Sequence, residues 1–325
     1  MQMSKVGFQA ESSTLECLRD EFSGRRCVVA PTFLSPALAR QAARDLESSE
    51  FNRATSDGLD GRRLATEMTI SGSNVWVHAL DLLLNDQRLF DAIQYVTGCP
   101  QIKCFRGRIS RHFPGTDHHS DWHDDIDTEK ARLVGISINL STAPYSGGQF
   151  LMRRKGETAL MAEISHTAPG SAHIFAISDT FHHCVTGVDG QVPRTALAGW
   201  FQLTPDRWTV IRELYSPAKN SATSTTAPFN ESAVTPSLDN VEVPESVVSQ
   251  TVEDSVVILN MKTGKYYALN KIGAEVWKLF SQRCGFAMIV DQISDKYSID
   301  KQAMIDELHA LVSRLIQFNL LAVRT

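Results

Sequence analysis

Before residue 100 the apolar positions recur at helical spacing. "SPALARQAARDLESSEF" puts Leu38, Ala42 and Leu46 on one face, with Ser35 as N-cap candidate and Pro36 in the first turn. "DQRLFDAIQYVTG" repeats the pattern with Leu89, Ile93 and Val96, and Gly98 as a stop. After residue 100 the period shortens. "IKCFRGRISRHF", "ARLVGISINLS", "GGQFLMRR", "SAHIFAI" and "TALAGWFQLT" are short, rich in Val, Ile, Phe and Ser/Thr, and separated by Gly, Pro or Asp turns. Helices followed by many closely spaced strands predict an all-β barrel or double-sheet jelly roll with helices packed outside it.

The pattern stops after residue 215. Residues 216–240 hold twelve Ser, Thr or Pro in 25 positions and a single aromatic, Phe229. Such a segment buries too little apolar surface to order itself, so a flexible linker is expected, its ends on the order of 28 Å apart as a coil. The chain therefore divides into domains at 1–215 and 241–325. In the second part, "DSVVILN", Lys262-Thr263-Gly264 and "KYYAL" predict a hairpin. "NKIGAEVWKLFSQ" predicts a helix capped by Asn270 with Ile272, Val276, Trp277 and Phe280 apolar, and "AMIVDQISDKY" and "DKQAMIDELHALVSRLIQFNLL" predict two more. A sheet and three helices in so short a span make a small winged-helix arrangement, with Trp277 expected in its core.

Composition narrows the function classes. The 325 residues are 42% hydrophobic and 21% charged, with a net charge of −5, as in an ordinary globular protein. Residues 241–325 carry nine Lys/Arg against ten Asp/Glu, a net of −1. A winged helix that reads DNA should be basic, so no nucleic-acid partner is expected. The N-terminus lacks an apolar signal core, and no apolar run approaches the roughly 18 residues of a membrane helix, so no membrane partner is expected. Six cysteines without CxxC spacing fit reduced thiols and a cytoplasmic location.

Chemistry concentrates in "HHSDWHDDID", residues 118–127, which contains two His-x-Asp pairs, His119/Asp121 and His123/Asp125. Two histidines and one carboxylate on one face of Fe(II) leave three positions for cosubstrate and oxygen. His-x-Asp suits such a face because residues i and i+2 of a strand point the same way. The remaining histidine must come from a distant strand, and "FHHCVTGVDGQVPRTALAGWF" offers His182 or His183, followed by Val185, Val188 and Arg194. Gly147 and Gly148 in "YSGGQF" form a turn into a strand. Arg106, Arg108 and Arg111 are expected on a solvated face, with one of them available to an acidic substrate.

"DWHDD", "VGISINLSTAPYSGGQFLMRR", "APGSAHIFA" and "HCVTGVDGQVPRTALAGWF" together resemble the prolyl-hydroxylase-like branch of the Fe(II)/2-oxoglutarate dioxygenases over roughly residues 25–203. The resemblance implies a double-stranded β-helix (jelly-roll) dioxygenase with flanking helices. It makes His123, Asp125 and His183 the iron ligands, and Arg194 the partner of the distal carboxylate of 2-oxoglutarate. The cofactors implied are Fe(II), 2-oxoglutarate and O2. The pair His123/Asp125 is preferred because Trp122 precedes it as in relatives, and His183 because it alone gives the H-x-V-x-x-V register. His118, His119 and Asp121 are then expected as solvated rim residues. This chain departs from the pattern by one extra residue before Arg194, with Pro193 ahead of it. It also has Ala196 where relatives often carry a Ser that assists the carboxylate. The retained Asp125 favours hydroxylation, since halogenating relatives lack that carboxylate.

Residues 258–279 resemble the PqqD family, whose members recognise leader segments of ribosomally made precursor peptides. The resemblance implies that a leader adds as a strand to the sheet edge, along Tyr266, Tyr267, Ala268, Leu269 and Asn270, against the first helix. The whole is then an α+β multidomain protein, a dioxygenase domain tethered to a small winged-helix PqqD-like domain. The implied function is hydroxylation of a side chain in a precursor peptide, with other biosynthetic enzymes as further partners. The alternative is a hydroxylase of a free small molecule whose second domain docks to a partner protein. A third reading, a DNA-binding sensor with an inert barrel, is disfavoured by the complete ligand set and the acidic second domain.

Overall fold

The computed structural model describes residues 1–57, 63–165, 168–215 and 241–323. It divides into two units, Met1–Leu214 and Tyr215–Thr325. The linker expected over 216–240 lies outside the described residues.

The first unit runs β1 (Gln2–Ser4), β2 (Gly7–Gln9), α1 (Ser12–Arg25), β3 (Cys27–Ala30), α2 (Pro36–Glu47), β4 (Phe51–Asp57), β5 (Arg63–Ile70), α3 (Val75–Leu84) and α4 (Gln87–Thr97). It continues with β6 (Cys104–His112), β7 (His119–His123), β8 (Arg132–Asn139), β9 (Ser146–Gly147), β10 (Phe150–Arg154), β11 (Leu160–Ile164), β12 (Ala172–Ala176), β13 (Phe181–Val185), β14 (Val188–Asp189), β15 (Arg194–Gln202) and α5 (Arg207–Tyr215). Ten of these strands lie in the order β11-β10-β13-β7-β5-β6-β15-β8-β12-β3, with β4 on the outer side of β5. One cavity takes side chains from β10, β13, β7, β5, β6, β15, β8 and β12. The sheet therefore curls over on itself as a jelly roll, with the cavity inside.

Helices α2 and α4 form where the apolar stripes predict them. Leu38, Ala42 and Leu46 are buried on α2. Leu89, Ile93 and Val96 are buried on α4, whose N-cap Asp86 accepts from Arg88 N and whose C-cap Gly98 is left-handed at φ 69°. Two helices escape the periodicity argument for opposite reasons. Helix α1 buries only Leu18 and Phe22, too few for a stripe. Helix α3 is apolar nearly all round, burying Trp76, Val77, Ala79, Leu80 and Leu82 to Leu84, so it has no polar face to set a period.

In the second unit β16 (Val241–Glu242) pairs with β20 (Ala322–Val323), and β17 (Val247–Val252), β18 (Ser255–Asn260) and β19 (Lys265–Leu269) form an antiparallel meander. Helices α6 (Lys271–Ser281), α7 (Phe286–Tyr297) and α8 (Lys301–Gln317) complete it. The hairpin at Lys262–Gly264 forms because Asn260 Oδ1 accepts from Lys262 N at 3.0 Å and Gly264 takes φ 67°. Asn270 caps α6 as expected, accepting from Gly273 N. Trp277 is buried in the core with Val276, Phe280, Leu308 and Val312, and its Nε1 donates to Ser249 Oγ at 3.0 Å. Helix α8 stops at Gln317 and does not run on to 321, since Asn319 turns left-handed at φ 53°.

Candidate metal centre

Strands β7 and β13 lie side by side, and register sets His123 directly opposite His183. Their rings approach to 4.3 Å between centroids. Asp125 completes the group: His123 Nε2 lies 3.5 Å from its Oδ1 and His183 Nε2 lies 3.3 Å from its Oδ2. One ligand atom from each of the three falls within 4.8 Å of the others.

Strand alternation is not what joins His123 to Asp125. The strand ends at His123, and Asp125 follows in a left-handed turn at φ 62°, a conformation that Asp tolerates better than most side chains. This turn brings the carboxylate beneath both imidazoles. Each ligand is held by a neighbour. His123 Nδ1 lies 2.6 Å from the Asp121 carbonyl oxygen, so Nδ1 carries a proton and Nε2 is the ring nitrogen turned to Asp125. Trp200 Nε1 donates to Asp125 Oδ2 at 2.8 Å. Phe150 and Phe175 cover His183, with centroids at 5.5 and 4.6 Å.

Electrostatics follow from this packing. Burial alone would raise the Asp125 carboxyl, but hydrogen bonds from His123 and His183 hold it well below the usual carboxylate range. Burial lowers His183 and outweighs the carboxylate. At His123 burial also works against the charged ring, but Asp125 wins and its pKa is raised. The group is a buried carboxylate between two imidazoles, a donor set suited to a divalent first-row metal.

The other histidines lie elsewhere. His119 Nδ1 lies against the Asp117 carbonyl at 2.6 Å, and Asp121 contributes its main-chain oxygen to His123. His118 is not a rim residue: it is buried, and its Nδ1 accepts the Phe113 N–H at 3.0 Å. His182 precedes His183 on β13 and so points to the opposite face.

At the inner end of the cavity Arg194, the first residue of β15, is 6% exposed and donates from Nη2 to Ser137 Oγ at 3.2 Å. A hydroxyl thus stands beside Arg194, although position 196 is Ala. Gly148, at φ 60°, lets the Arg194 stem pass: a Cβ there would come within 2.8 Å of Arg194 Cδ and 3.2 Å of a Tyr145 ring carbon. Gly148→Ala should therefore strain the backbone by about 1–2 kcal/mol and shift Arg194. A 2-oxoglutarate titration of Gly148→Ala should show a raised KM, and an unchanged value would mean that Arg194 has room to spare.

Three buried polar atoms at this end have no hydrogen-bond partner among the described residues, Arg194 Nε, His173 Nε2 and His112 Nδ1. His173 was not foreseen. It stands alone in the apolar strand "SAHIFAI", where its only signal is a histidine among Ile and Phe. Burial first, then Arg194 and His183, push its pKa down to about 3, so the ring is neutral. Trp200 and Ser137 were missed as well. Trp200 was legible in principle, being six residues from Arg194 on one strand and hence on the same face.

The three arginines of β6 do not form one solvated face: Arg108 is exposed, Arg106 half-buried and Arg111 buried. Arg111 is buried, donating to Thr195 Oγ1 and to the Leu46 carbonyl, with its guanidinium over Phe51. Arg106 pairs with Glu213 and, at 3.7 Å, with Asp81. Arg108 pairs with Glu67 and lines the cavity.

Residues 107–202 match the family model of the 2OG-Fe(II) oxygenase superfamily, and residues 255–321 match that of coenzyme PQQ synthesis protein D, PqqD. The chain joins a 2OG-Fe(II) oxygenase domain to a PqqD domain. Its enzyme class is oxidoreductase, and its family implies Fe(II), 2-oxoglutarate and O2. None of the curated proteins compared with it matches. Among solved structures, a Pseudomonas putida prolyl-4-hydroxylase is 19% identical, with 59% of this chain and 100% of that one covered and a TM-score of 0.40. An oxidoreductase of the 2OG-Fe(II) oxygenase family from Burkholderia pseudomallei is 16% identical, with 61% and 94% covered and a TM-score of 0.44. TbiB1 in complex with the TbiA(beta) leader peptide is 30% identical, with 26% and 98% covered and a TM-score of 0.25. Among the described residues of this oxygenase–PqqD chain, no helix is long and apolar enough to cross a membrane.

On the PqqD domain, β19 pairs with β18 along one edge, and no described strand pairs with its other edge. Tyr267 and Leu269 pack on the core, Tyr267 beside the Phe318 ring at 5.2 Å, while Ala268 is exposed and Asn270 is committed to capping α6. What β19 leaves open is therefore chiefly its backbone edge.

Proposed function

We propose that this protein is an Fe(II)- and 2-oxoglutarate-dependent hydroxylase of a side chain in a ribosomally synthesised precursor peptide, whose leader the PqqD domain binds. The observation that carries the first half is the convergence of His123, Asp125 and His183 within 4.8 Å in the cavity whose inner end holds Arg194. In this reading those three residues hold the metal, and Arg194, with Ser137 beside it, takes the distal carboxylate of 2-oxoglutarate as a bidentate partner. Bound there, the metal and cosubstrate supply the oxidising chemistry that turns C–H into C–OH while 2-oxoglutarate and O2 become succinate and CO2. The protein's own part is positional. The Asp121 carbonyl fixes the His123 tautomer, the Trp200 indole fixes the Asp125 carboxylate, and Phe150 and Phe175 keep water from His183. Asp125 fills the coordination position that a halide would need, which favours hydroxylation over halogenation.

The second half is supported by the second edge of β19, with which no described strand pairs, because an extended leader can pair there as an added strand. The test is incubation of precursor peptides whose leaders bind the PqqD domain with protein, Fe(II), 2-oxoglutarate and O2. A gain of one oxygen in the core segment, with one succinate formed per modification, is the expected result. Oxidation of free small molecules with no gain on the peptide would reject the peptide substrate.

Arg194→Ala should raise the 2-oxoglutarate KM about tenfold to more than a hundredfold, since hydrogen bonds to a charged group contribute about 1.5–3 kcal/mol. An unchanged KM would remove Arg194 from the cosubstrate site.

A further inference from the structure

The inner face of β6 presents Arg108, Ser110 and His112 at alternate positions, and register sets Ala198, Ala196 and Arg194 of β15 opposite them. Arg194 marks the buried end of this ladder. Arg108 marks the open end, its side chain 43% exposed while that of its partner Glu67 is 11% exposed. Directly across from Arg108 stands only the methyl of Ala198.

The guanidinium of Arg108 is anchored on two sides. Its Nε donates to Glu67 Oε1 at 2.7 Å, and its Cζ lies 5.1 Å from the centre of the Trp200 ring. Among the described residues its Nη groups have no hydrogen-bond acceptor. Glu67 is itself fixed, with His112 Nε2 at 3.7 Å from its other oxygen. Burial would raise the Glu67 carboxyl, but His112 and Arg108 together hold it at about 2, so the anchor stays ionised. The neighbouring cation, Arg132, is already committed, at 3.6 Å from Asp125 and 3.7 Å from Asp127. Arg108 is thus the cation of the cavity wall that combines a fixed plane with free donors. A fixed guanidinium fork matches the two oxygens of a carboxylate. The Trp200 ring beneath it is the same indole that donates to Asp125, so a group seated on Arg108 lies one side chain away from the metal centre.

We propose that Arg108 binds a carboxylate of the substrate and thereby sets which C–H bond faces the metal. On the peptide reading above, on which this inference rests for the nature of the substrate, the carboxylate is the side chain of an Asp or Glu at or beside the modified residue. Glu67 is a positioning residue that holds the guanidinium plane.

The test uses the full chain loaded anaerobically with Fe(II) and saturating 2-oxoglutarate, titrated with N-acetyl-aspartate methylamide and with its asparagine counterpart, and read by tryptophan fluorescence. The aspartyl probe should bind about tenfold or more tighter, because a charge-assisted pair replaces a neutral one. The preference should vanish in Arg108→Gln and weaken in Glu67→Gln, which keeps the side-chain volume and carries the test if Arg108→Gln fails to fold. Equal binding of the two probes, no binding of either, or a preference that survives both substitutions would overturn the proposal. The peptide reading fails separately: precursor without oxygen gain alongside an intact aspartyl preference removes the peptide and leaves Arg108 with an acidic small molecule.

Discussion

Replacing His123, Asp125 or His183 should lower Fe(II)-dependent succinate formation by more than about 100-fold, since losing even an outer partner of a metal ligand costs about 10–100-fold. His123→Ala and Asp125→Ala should fold, because both side chains border the cavity, 22% and 12% exposed, and stand outside the apolar core. His183 is different: it is packed between Phe150 and Phe175, so His183→Ala opens a void and His183→Gln is the cleaner variant. Trp200→Phe removes the donor to Asp125 Oδ2 and should weaken Fe(II) binding about 10–100-fold with the three ligands still in place. His119→Ala should stay within about twofold of wild type, as a side chain outside the group should. The measurements are succinate yield, anaerobic Fe(II) titration and thermal melting of each variant. An inactive His119→Ala beside an active His123→Ala would shift the metal to the other His-x-Asp pair.

The second large effect is expected from removing residues 241–325. The remaining oxygenase domain should keep its affinity for Fe(II) and 2-oxoglutarate, because the cavity is lined wholly by residues of the first unit. On full-length precursor at low concentration its rate should fall on the order of 10²-fold or more, the gain a tether gives by raising local concentration. The PqqD domain has a core of its own, with Val247, Ile258, Trp277, Ile289 and Leu308 among its buried residues, so it should bind a labelled leader peptide unaided. The leader should protect amides along Lys265–Leu269 from hydrogen exchange. If the shortened protein modifies full-length precursor as fast as the intact one, leader capture is not the role of the PqqD domain, and hydroxylation of a free small molecule becomes the better account.

What local sequence determined is what depends on near neighbours. The stripes of α2 and α4, the Asn270 cap and the Lys262–Gly264 hairpin are set by side chains within a few residues of one another, so spacing alone revealed them. The motif order from His123 to Arg194 was legible for another reason: each piece is a short run of fixed composition, and the runs keep their order along the chain. Where spacing was the guide to geometry, it misled. Asp125 reaches the metal centre through a left-handed turn and not by strand alternation, a backbone choice invisible in a three-residue pattern. Arg106, Arg108 and Arg111 looked solvated because their partners, Glu213, Glu67 and Leu46, are distant in sequence. His173, Ser137 and Trp200 became part of the site only when β12, β8 and β15 curled around one cavity. Which of two neighbouring histidines faces inward, which carboxylate is ionised and which arginine keeps free donors are settled by burial and by contacts between strands far apart in the chain. Those are the quantities that only the tertiary structure decides.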